Sequence, residues 1–357
     1  MTPRRTPLVL LDCERMKYPH TGLYHFCLHL GRQLAATAPG NRRLCYYTPS
    51  SAQGLFGADA CYRAQHSLQK FRLPATGDVD IWHNTYQGSN YYPLRRRLKV
   101  LLTIHDLNFM HDEGKPDARK QRHLDKLKRK VERADHIVAI SQFSLSDARQ
   151  HLDLTGKRTT VIYNGCNIEP ITPLTTPAFV PSAPFLFTVG TIIDKKNFHV
   201  LPGLLAGNGR QLLIAGITQS EAYKARIVAE AERHGVADRV HFTGPISESD
   251  KQWYLQQCEA FVFPSLAEGF GLPVVEALYF GKPVFLSTCT SLPEIGGSAA
   301  YYFSSFDPEE MRQTLGEGLR HFAAHERAGE MSARAAQFSW TEAARQYHAV
   351  YDELLRS

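Results

Sequence analysis

The stretch "AFVFPSLAEGFGLPVVEAL", residues 260–278, predicts a strand, a tight turn and a helix in direct succession. The apolar run at its start is typical of a buried strand, and Gly269 and Gly271 permit a turn whose backbone lies close to a ligand. Pro273 suits the first turn of a helix. The free N–H groups at a helix start, together with the helix dipole, favour an anion, so we expect this turn to bind a phosphate group.

Two carboxylates flank the turn, with Glu268 at its edge and Glu276 one turn inside the helix. A carboxylate accepts hydrogen bonds from sugar and ribose hydroxyl groups, so an anion site between two such acceptors suits a nucleotide sugar. The alternative is that Glu268 caps the helix start, which is worth about 0.5–1 kcal/mol, and that Glu276 lies at the surface. This stretch alone leaves both interpretations open.

Short apolar runs alternate with helical patterns along the whole chain, which is typical of parallel α/β units. The predicted strands are residues 7–12, 43–48, 79–84, 99–106, 136–141 and 159–164 in the first half, and 185–190, 210–216, 239–244, 260–265, 282–287 and 299–304 in the second. Helices are predicted at residues 22–36, 118–133, 142–152 and 338–355. The sequence therefore predicts an α/β protein with two doubly wound, Rossmann-like sheets, whose ligands bind beyond the carboxyl ends of the strands.

A chain of 357 residues exceeds what one hydrophobic core usually serves, so two domains are expected. A cluster of prolines from Pro170 to Pro184 is too dense for a helix or a central strand. The predicted parts are an N-terminal domain at 1–170, a linker at 171–184, a C-terminal domain at 185–338 and a final helix at 339–357 that packs back across the domains. We expect the ligand to bind in a cleft between the two domains.

The composition, with 43% hydrophobic and 21% charged residues, is that of a globular protein. The sequence has no apolar run of about 18 residues that could span a bilayer. The apolar stretch at residues 7–11 is too short for a signal peptide, so we expect a cytoplasmic protein. Seven cysteines are scattered without CxxC pairs, which predicts buried thiols rather than a disulfide framework or a cysteine-based zinc site.

Charge differs between the two halves, because residues 1–170 carry 26 Lys and Arg against 15 Asp and Glu, whereas residues 171–357 carry 15 against 20. Much of the excess lies in residues 117–135, where Leu124, Leu127 and Val131 recur at helical spacing among eight basic side chains. This basic amphipathic helix either packs on its own domain or makes a peripheral contact with an anionic membrane or acidic acceptor. Nucleic acid is not expected, because the segment lacks interleaved aromatic residues and a recognition motif.

Several patterns that could indicate a metal or another chemistry are discounted. Asp78 and Asp80 form a D-x-D sequence that resembles a manganese motif, but they open a predicted strand. None of the sixteen histidines belongs to an HExxH motif, and neither a G-x-S-x-G elbow nor a Walker loop is present. His83 and His105 each end a predicted strand, and either could be an ordinary buried histidine. We therefore predict no metal site.

Motifs spread along the chain resemble one enzyme family. The stretch "AEGFGLPVVEALYFGKPV" (267–284) resembles the E-x7-E signature of retaining glycosyltransferases with the two-domain GT-B architecture, in particular family 4. The segment "LFTVGTIIDKKN" (186–197) resembles the family's diphosphate-binding segment, and "VLLTIHDLNFMH" (100–111) its acceptor-domain segment. The resemblance extends over nearly the whole chain and implies a GT-B fold, with two Rossmann-like domains facing a central cleft.

The resemblance implies roles for individual residues. Lys195 and Lys196 would neutralise the leaving diphosphate in place of a metal ion, so no cofactor is expected. Glu276 would accept hydrogen bonds from the ribose, Glu268 would hold the donor sugar, and His105 would position and polarise that sugar. The catalytic set is then His105, Glu268 and Lys196, and the other donor-binding positions are Gly190, Thr191, Gly269, Phe270, Gly271 and Leu272.

The chain departs from the family at two positions. Family members often have an arginine directly after the glycine of the phosphate-binding strand, whereas Thr191 follows Gly190 here. The lysines must therefore hold the diphosphate alone or with another residue. The N-terminal loop of the family usually has a glycine pair, whereas this chain has Gly22 alone, preceded by Thr21. We expect Gly22 and Thr21 to approach the sugar phosphate or the acceptor.

The resemblance implies a retaining hexosyltransferase that uses a nucleotide diphosphate sugar such as GDP-mannose or a UDP-hexose, with mannose or glucose favoured. The acceptor would be a glycan or a lipid-linked glycan in cell-surface polysaccharide or lipopolysaccharide synthesis, at the inner face of the cytoplasmic membrane if the basic helix binds there. Two alternatives remain: a nucleotide-sugar epimerase of the same fold, and a non-catalytic protein that binds nucleotides or glycans.

Overall fold

The chain divides into two compact units, each built on its own sheet. The computed structural model describes residues 5–19, 21–71, 73, 75–93, 98–112 and 114–357. The first unit contains residues 1–165 and 339–357, and the second contains residues 166–338. The first unit is therefore discontinuous in sequence, because its last segment follows the whole second unit.

The first unit is organised around a seven-stranded parallel sheet with the strand order β3-β2-β1-β4-β5-β6-β7. Its strands are β1 (Leu8–Asp12), β2 (Arg43–Thr48), β3 (Cys61–Ala64), β4 (Ile81–Asn84), β5 (Lys99–Ile104), β6 (His136–Ala139) and β7 (Arg158–Val161). The order reverses between β1 and β4, and ligands of such sheets bind beyond the carboxyl ends of the strands at this switch point.

Within the described residues, the α-helices of the first unit are α1 (Gly22–Ala36), α2 (Asp117–Arg133), α3 (Gln142–His151) and α10 (Trp340–Arg356). The basic helix α2 places Leu124, Leu127 and Val131 in the apolar core beside β5 and β6. The apolar face of α2 is thus used within its own unit, as the packing interpretation predicts. Helix α10 packs on α1 and β4, and Tyr351 on it hydrogen-bonds His83 at the end of β4 (2.7 Å).

The second unit repeats the plan with a six-stranded parallel sheet in the order β10-β9-β8-β11-β12-β13. Its strands are β8 (Phe185–Val189), β9 (Gln211–Ala215), β10 (Val240–Gly244), β11 (Ala260–Phe263), β12 (Val284–Ser287) and β13 (Tyr301–Phe303). Its helices are α4 (Glu221–Arg233), α5 (Glu248–Gln257), α6 (Leu272–Tyr279), α7 (Leu292–Gly296), α8 (Pro308–Ala324) and α9 (Ala328–Ala335). Here the switch point lies between β8 and β11.

The predicted fold class is confirmed, since both halves are doubly wound parallel sheets. All twelve predicted strands are present, with ends that differ by up to three residues, and only the short edge strand β3 was missed. The predicted linker at 171–184 lies within the second unit, where Tyr254 donates a hydrogen bond to the carbonyl oxygen of Phe179 (2.7 Å). In the described ranges, no helix is long and apolar enough to cross a membrane.

The cysteines are free thiols, but they are not all buried as predicted. Four are buried, whereas Cys61, Cys166 and Cys289 are partly exposed. The discounted D-x-D pair has structural partners within the first unit, because Asp78 pairs with Arg63 and Asp80 pairs with Arg5.

Candidate functional site

In the second unit, Lys196 and Glu268 meet at the switch point of the sheet. Lys196 follows β8 and Glu268 follows β11, and these two strands are neighbours. The Lys196 ammonium lies 2.5 Å from Oε1 of Glu268, and both side chains are largely buried. Lys196 also lies over the Phe263 ring, 4.8 Å from its centroid. The parallel topology thus brings together two residues that are 72 positions apart in the chain.

The Glu268 carboxylate is ionised in this setting. Burial opposes ionisation, but the charges of Lys196 and Lys195 and hydrogen bonds from Lys196 and Ser265 outweigh it, so the pKa of Glu268 lies below its ordinary value. Ser265 donates to Oε1 at 2.6 Å. The backbone N–H of Glu268 donates to the Thr290 hydroxyl at 3.0 Å. The side chain and backbone of Glu268 are therefore both fixed before any ligand arrives.

The loop after β8 is fixed through the Lys195 backbone. The Lys195 carbonyl accepts hydrogen bonds from the Leu266 N–H (2.8 Å) and the Ser265 hydroxyl (3.2 Å), which tie this loop to the one after β11. Asn197 adopts a left-handed conformation, with φ of 57°, and turns the chain directly after Lys196. A Cβ atom at Gly190 would lie 3.3 Å from Cε of Lys196, so the predicted glycine lies beside the predicted lysine.

In the turn between β11 and α6, Gly271 has a conformation that favours glycine. Gly271 has φ of 99° and precedes α6, which begins at Leu272. The Phe270 side chain is buried against the Phe338 ring, so its backbone is the part that remains for a ligand. The Ser291 hydroxyl lies 3.1 Å from the carbonyl oxygens of both Glu268 and Phe270, and its hydrogen bonding to them stabilises the turn.

Glu276 is buried, not at the surface, and it has a cationic partner that sequence reasoning missed. Its Oε1 lies 3.0 Å from the Lys251 ammonium on α5. Burial raises the pKa of Glu276. The charge and hydrogen bond of Lys251 and a hydrogen bond with Asn167 lower this pKa, but they offset only part of the effect of burial. Lys251 lies between two carboxylates, since Glu248 is 2.8 Å away, and its pKa is raised despite burial. Glu276 and Lys251 are thus within ion-pair distance of each other in the interior of the second unit.

In the first unit, His105 follows β5 and is buried as a neutral ring. Its Nε2 donates to the Thr85 carbonyl at 2.8 Å, which fixes the tautomer, and its backbone N–H donates to Gln87 at 3.0 Å. Ser144 on α3 donates to the His105 carbonyl at 2.7 Å. Burial lowers the pKa of His105 to about 4. His83 is the satisfied buried histidine that one interpretation predicted, with both ring nitrogens bonded to Tyr351 and Thr103.

Thr21 and Gly22 lie at the start of α1. The Thr21 hydroxyl caps the helix by accepting a hydrogen bond from the Tyr24 N–H at 3.3 Å. It also donates to the Tyr18 carbonyl at 2.9 Å, and Gly22 is the first helical residue. The Thr21 side chain therefore stabilises the start of α1.

A second polar cluster at the carboxyl end of β1 was missed by sequence reasoning. Asp12 is buried, and its Oδ2 accepts hydrogen bonds from Asn84 (2.9 Å) and Ser89 (2.6 Å). Burial raises the pKa of Asp12 to about 7, although the Ser89 hydrogen bond opposes the shift. Lys130 on α2 donates to the Gln87 carbonyl at 2.6 Å and is partly buried. The available signal was that Asp12 and Asn84 each end a predicted strand.

Comparison with known proteins agrees with this architecture. The "Glycosyltransferase Family 4" model matches residues 11–170, and the "Glycosyl transferases group 1" model matches residues 177–330. Sucrose-phosphate synthase from Thermosynechococcus elongatus has a TM-score of 0.78 at 21% identity, over 99% of this chain and 100% of that chain. HepE of Anabaena in complex with UDP-glucose has a TM-score of 0.74 at 17% identity, over 97% of this chain and 99% of that chain.

Two relatives from Escherichia coli are also similar. The serotype-specific mannosyltransferase WbdA is 30% identical over 280 residues, which cover 72% of this chain and 34% of WbdA, so this chain spans about a third of that relative's length. The O-antigen chain mannosyltransferase B is 24% identical over 374 residues, covering 93% of this chain and 96% of the relative. The fold and these matches define the class: the chain has the GT-B architecture, and its two units match family models of glycosyltransferases. Within that class the chain belongs to the family 4 type.

Proposed function

We propose that the chain is a retaining hexosyltransferase. It transfers mannose or glucose from a nucleotide diphosphate sugar, such as GDP-mannose or a UDP-hexose, to a glycan or lipid-linked acceptor in cell-surface polysaccharide or lipopolysaccharide synthesis. Mannose is favoured because WbdA and O-antigen chain mannosyltransferase B are both mannosyltransferases by name. A nucleotide sugar as donor is supported by HepE, whose structure contains UDP-glucose.

The observation that carries the proposal is the Lys196–Glu268 ion pair at the switch point of the second sheet. A lysine ammonium has three N–H donors, so Lys196 can keep its bond to Glu268 and still donate to a diphosphate oxygen. Because Glu268 already compensates the buried ammonium, the lysine side chain is held in place before the donor binds. Preorganised charge of this kind stabilises a leaving group without reorganisation during the reaction.

The donor is held along the two loops after β8 and β11. Lys195 and Lys196 neutralise the diphosphate, together with the N–H groups at the start of α6, so we propose that transfer needs no metal ion. Glu268 and the turn through Gly271 bind the sugar. The acceptor hydroxyl attacks the anomeric carbon on the face that the nucleotide leaves, and a diphosphate oxygen takes its proton. The new glycosidic bond then has the configuration of the bond that breaks.

Glu276 binds the ribose in this proposal, and the Lys251 ammonium, 3.0 Å away, holds its carboxylate in place. The pair affects the design of the test, because removing the Glu276 carboxylate would leave the buried Lys251 with Glu248 as its remaining carboxylate partner and would destabilise the protein. A loss of activity in Glu276→Ala alone would therefore not distinguish a binding role from unfolding. His105, which burial keeps neutral and Thr85 orients, positions the transferred sugar in this proposal.

The test is a donor screen with matched variants. The untagged protein is incubated with GDP-mannose, UDP-glucose and UDP-GlcNAc, with and without an oligomannose acceptor, and hydrolysis and transfer are followed by NMR. We expect turnover of at least one hexose donor and a product with the donor's anomeric configuration. Glu268→Gln keeps the size and planar end of the side chain but removes the negative charge next to Lys196. This variant should lower turnover about 100-fold or more.

Glu259→Gln is the matched control. Glu259 and Glu268 lie just before and just after the same strand, β11, and Glu259 pairs with Arg210 through two contacts of 2.5 and 2.8 Å. The control therefore breaks a comparable ion pair in the same unit and should change turnover by less than about threefold. Equal losses in the two variants would contradict the proposed site. An inverted product would contradict retention, and a new UDP-GlcNAc isomer formed without acceptor would indicate an epimerase instead.

A further inference from the structure

Three side chains of metal-binding type converge in the first unit, away from the residues assigned above. His111 lies in the loop after β5, and Asp147 and His151 lie one turn apart on the same face of α3. The His111 Nε2 atom is 3.0 Å from each oxygen of Asp147, and the His151 Nε2 atom is 3.5 Å from Oδ1. The three ligand atoms all lie within 4.8 Å of one another.

The centre of this cluster is a buried carboxylate that contacts both imidazoles. The Asp147 side chain is only 3% exposed, and its ion pairs are with the two imidazoles. Burying a carboxylate is costly unless a positive charge or several hydrogen bonds compensate it. Among the described residues, no lysine or arginine lies within ion-pair distance of Asp147. A bound metal ion would place a positive charge directly beside this buried carboxylate.

We propose that His111, Asp147 and His151 bind Zn²⁺, in contrast to the sequence-based expectation of no metal site. Two imidazole nitrogens and one carboxylate oxygen form a ligand set typical of zinc, with metal–ligand distances of about 2.0–2.2 Å. An ion at those distances separates its ligands by about 3.3 Å in tetrahedral geometry. The two imidazole-to-carboxylate spacings, 3.0 and 3.5 Å, are close to this value, and the atoms of the whole set, which lie within 4.8 Å of one another, would draw together around the ion. The side chains of His111 and His151 are 37% and 26% exposed, which leaves an entry path and a position for water.

The ion would fasten the segment that carries His105. Ser144 on α3 already donates to the His105 carbonyl, and Asp147 lies about one turn further along the same helix. Zinc at Asp147 would add a second fastening point at His111, so that both ends of residues 105–111 are held on α3. The proposed role of the ion is to stabilise the loop after β5, and the ion does not bind the donor diphosphate. The inference does not depend on the proposed glycosyl transfer.

The test measures metal binding directly. Untagged protein is treated with a chelator, dialysed and titrated with ZnCl₂ by calorimetry, and the metal content is checked by atomic absorption. We expect one zinc per chain and a rise of about 5–10 °C in the melting temperature of the first unit at zinc concentrations about 100-fold above Kd. Asp147→Asn and, separately, His151→Gln should lose the stoichiometric site and the thermal shift.

The matched control is the double variant His321→Ala/His325→Ala. These histidines are also one helical turn apart, with ring centroids separated by 4.3 Å, but they lie in the second unit. This variant should retain the zinc site. Retained zinc in both single variants, or loss of zinc in the control, would overturn the inference. A cobalt-substituted sample adds a spectroscopic check, because a thiolate-to-metal band would place the metal on cysteine and contradict it.

Discussion

At the residue scale, the site residues that sequence could predict are those that follow strands. Lys196 and Glu268 were assigned to one donor ligand through the family resemblance, and each follows a predicted strand; in the structure they lie 2.5 Å apart. Lys251 could not be predicted, because its contact with Glu276 depends on how α5 and α6 pack. The same applies to Asp12, whose raised pKa depends on the depth of its burial and on its neighbours. Spacing in sequence carries neither kind of information.

Asp12 gives a prediction about pH. Because its folded-state pKa is raised from 3.8 to about 7, the contribution of Asp12 to stability is fully present below pH 3.8 and is lost as the pH rises towards 7. The free energy of unfolding of the wild-type protein should therefore fall by about 2–4 kcal/mol relative to Asp12→Asn between pH 4.5 and 7.5, and stay level above that. Urea unfolding of both proteins across this range measures the difference.

The comparison with Asp12→Asn removes the effect of other groups. Burial lowers the pKa of His83 to about 3 and that of His105 to about 4, so both contribute stability that is lost as the pH falls through 6.5. Their slope is opposite to that of Asp12, but both proteins contain them. Parallel pH profiles for wild type and variant would show that Asp12 does not titrate in this range.

At the element scale, strands were predicted well because buried parallel strands are continuous apolar runs. The missed strand β3, with the sequence CYRA, is short and partly exposed at a sheet edge, so it lacks that signal. Helix α2 illustrates a different limit. Its apolar residues could indicate a membrane face or a core face, and the choice depends on the presence of the neighbouring strands. In the structure Leu124, Leu127 and Val131 belong to the core.

The membrane contact of α2 therefore stays a prediction that rests on charge alone. Arg119, Arg122, Lys126 and Arg129 are exposed and recur along one side of the helix. Each basic residue near an anionic surface contributes about 1 kcal/mol, so Lys126→Glu/Arg129→Glu should weaken binding to phosphatidylglycerol vesicles about 30-fold or more. Sedimentation at low and high salt measures this, and binding should weaken as salt rises.

Charge reversal on α4 is the control for this experiment. Lys224→Glu/Arg226→Glu changes the net charge by the same amount in the second unit. If both double variants lose binding equally, the effect comes from overall charge and not from α2. Lys130 is left unchanged, because its ammonium bonds the Gln87 carbonyl and burial lowers its pKa to about 8. Vesicle binding that is absent or insensitive to salt would leave α2 with its packing role only.

At the scale of the whole molecule, the division into units follows contacts and not chain order. Residues 166–338 form a contiguous unit, whereas the first unit needs α10 from beyond it. Gly165 and Trp340 show how closely its two segments approach, since a Cβ atom at Gly165 would lie 2.2 Å from the Trp340 backbone nitrogen. The final helix was predicted from its amphipathic pattern, but its place in the first unit depends on contacts that the pattern does not contain.

Truncation should affect the two units differently. Helix α10 buries Tyr347, Tyr351 and Leu354 almost completely, and each large side chain contributes about 1.5–3 kcal/mol. Because a domain is stable by about 5–15 kcal/mol, a chain that ends at residue 338 should lose the first unit's folding transition and keep the second's. The fragment 166–338 should unfold cooperatively by itself. Calorimetry of both proteins tests this, and a native-like first transition without α10 would contradict it.

The discontinuity of the first unit also dictates an order of events during synthesis. The ribosome adds about 5–20 residues per second, so at least roughly ten seconds separate Gly165 from the emergence of α10. During that interval the apolar surface of α1 and β4 that α10 covers remains open to solvent and to other nascent chains. The second unit can finish folding first. The nascent first unit is therefore a natural client for chaperones that hold unfinished domains.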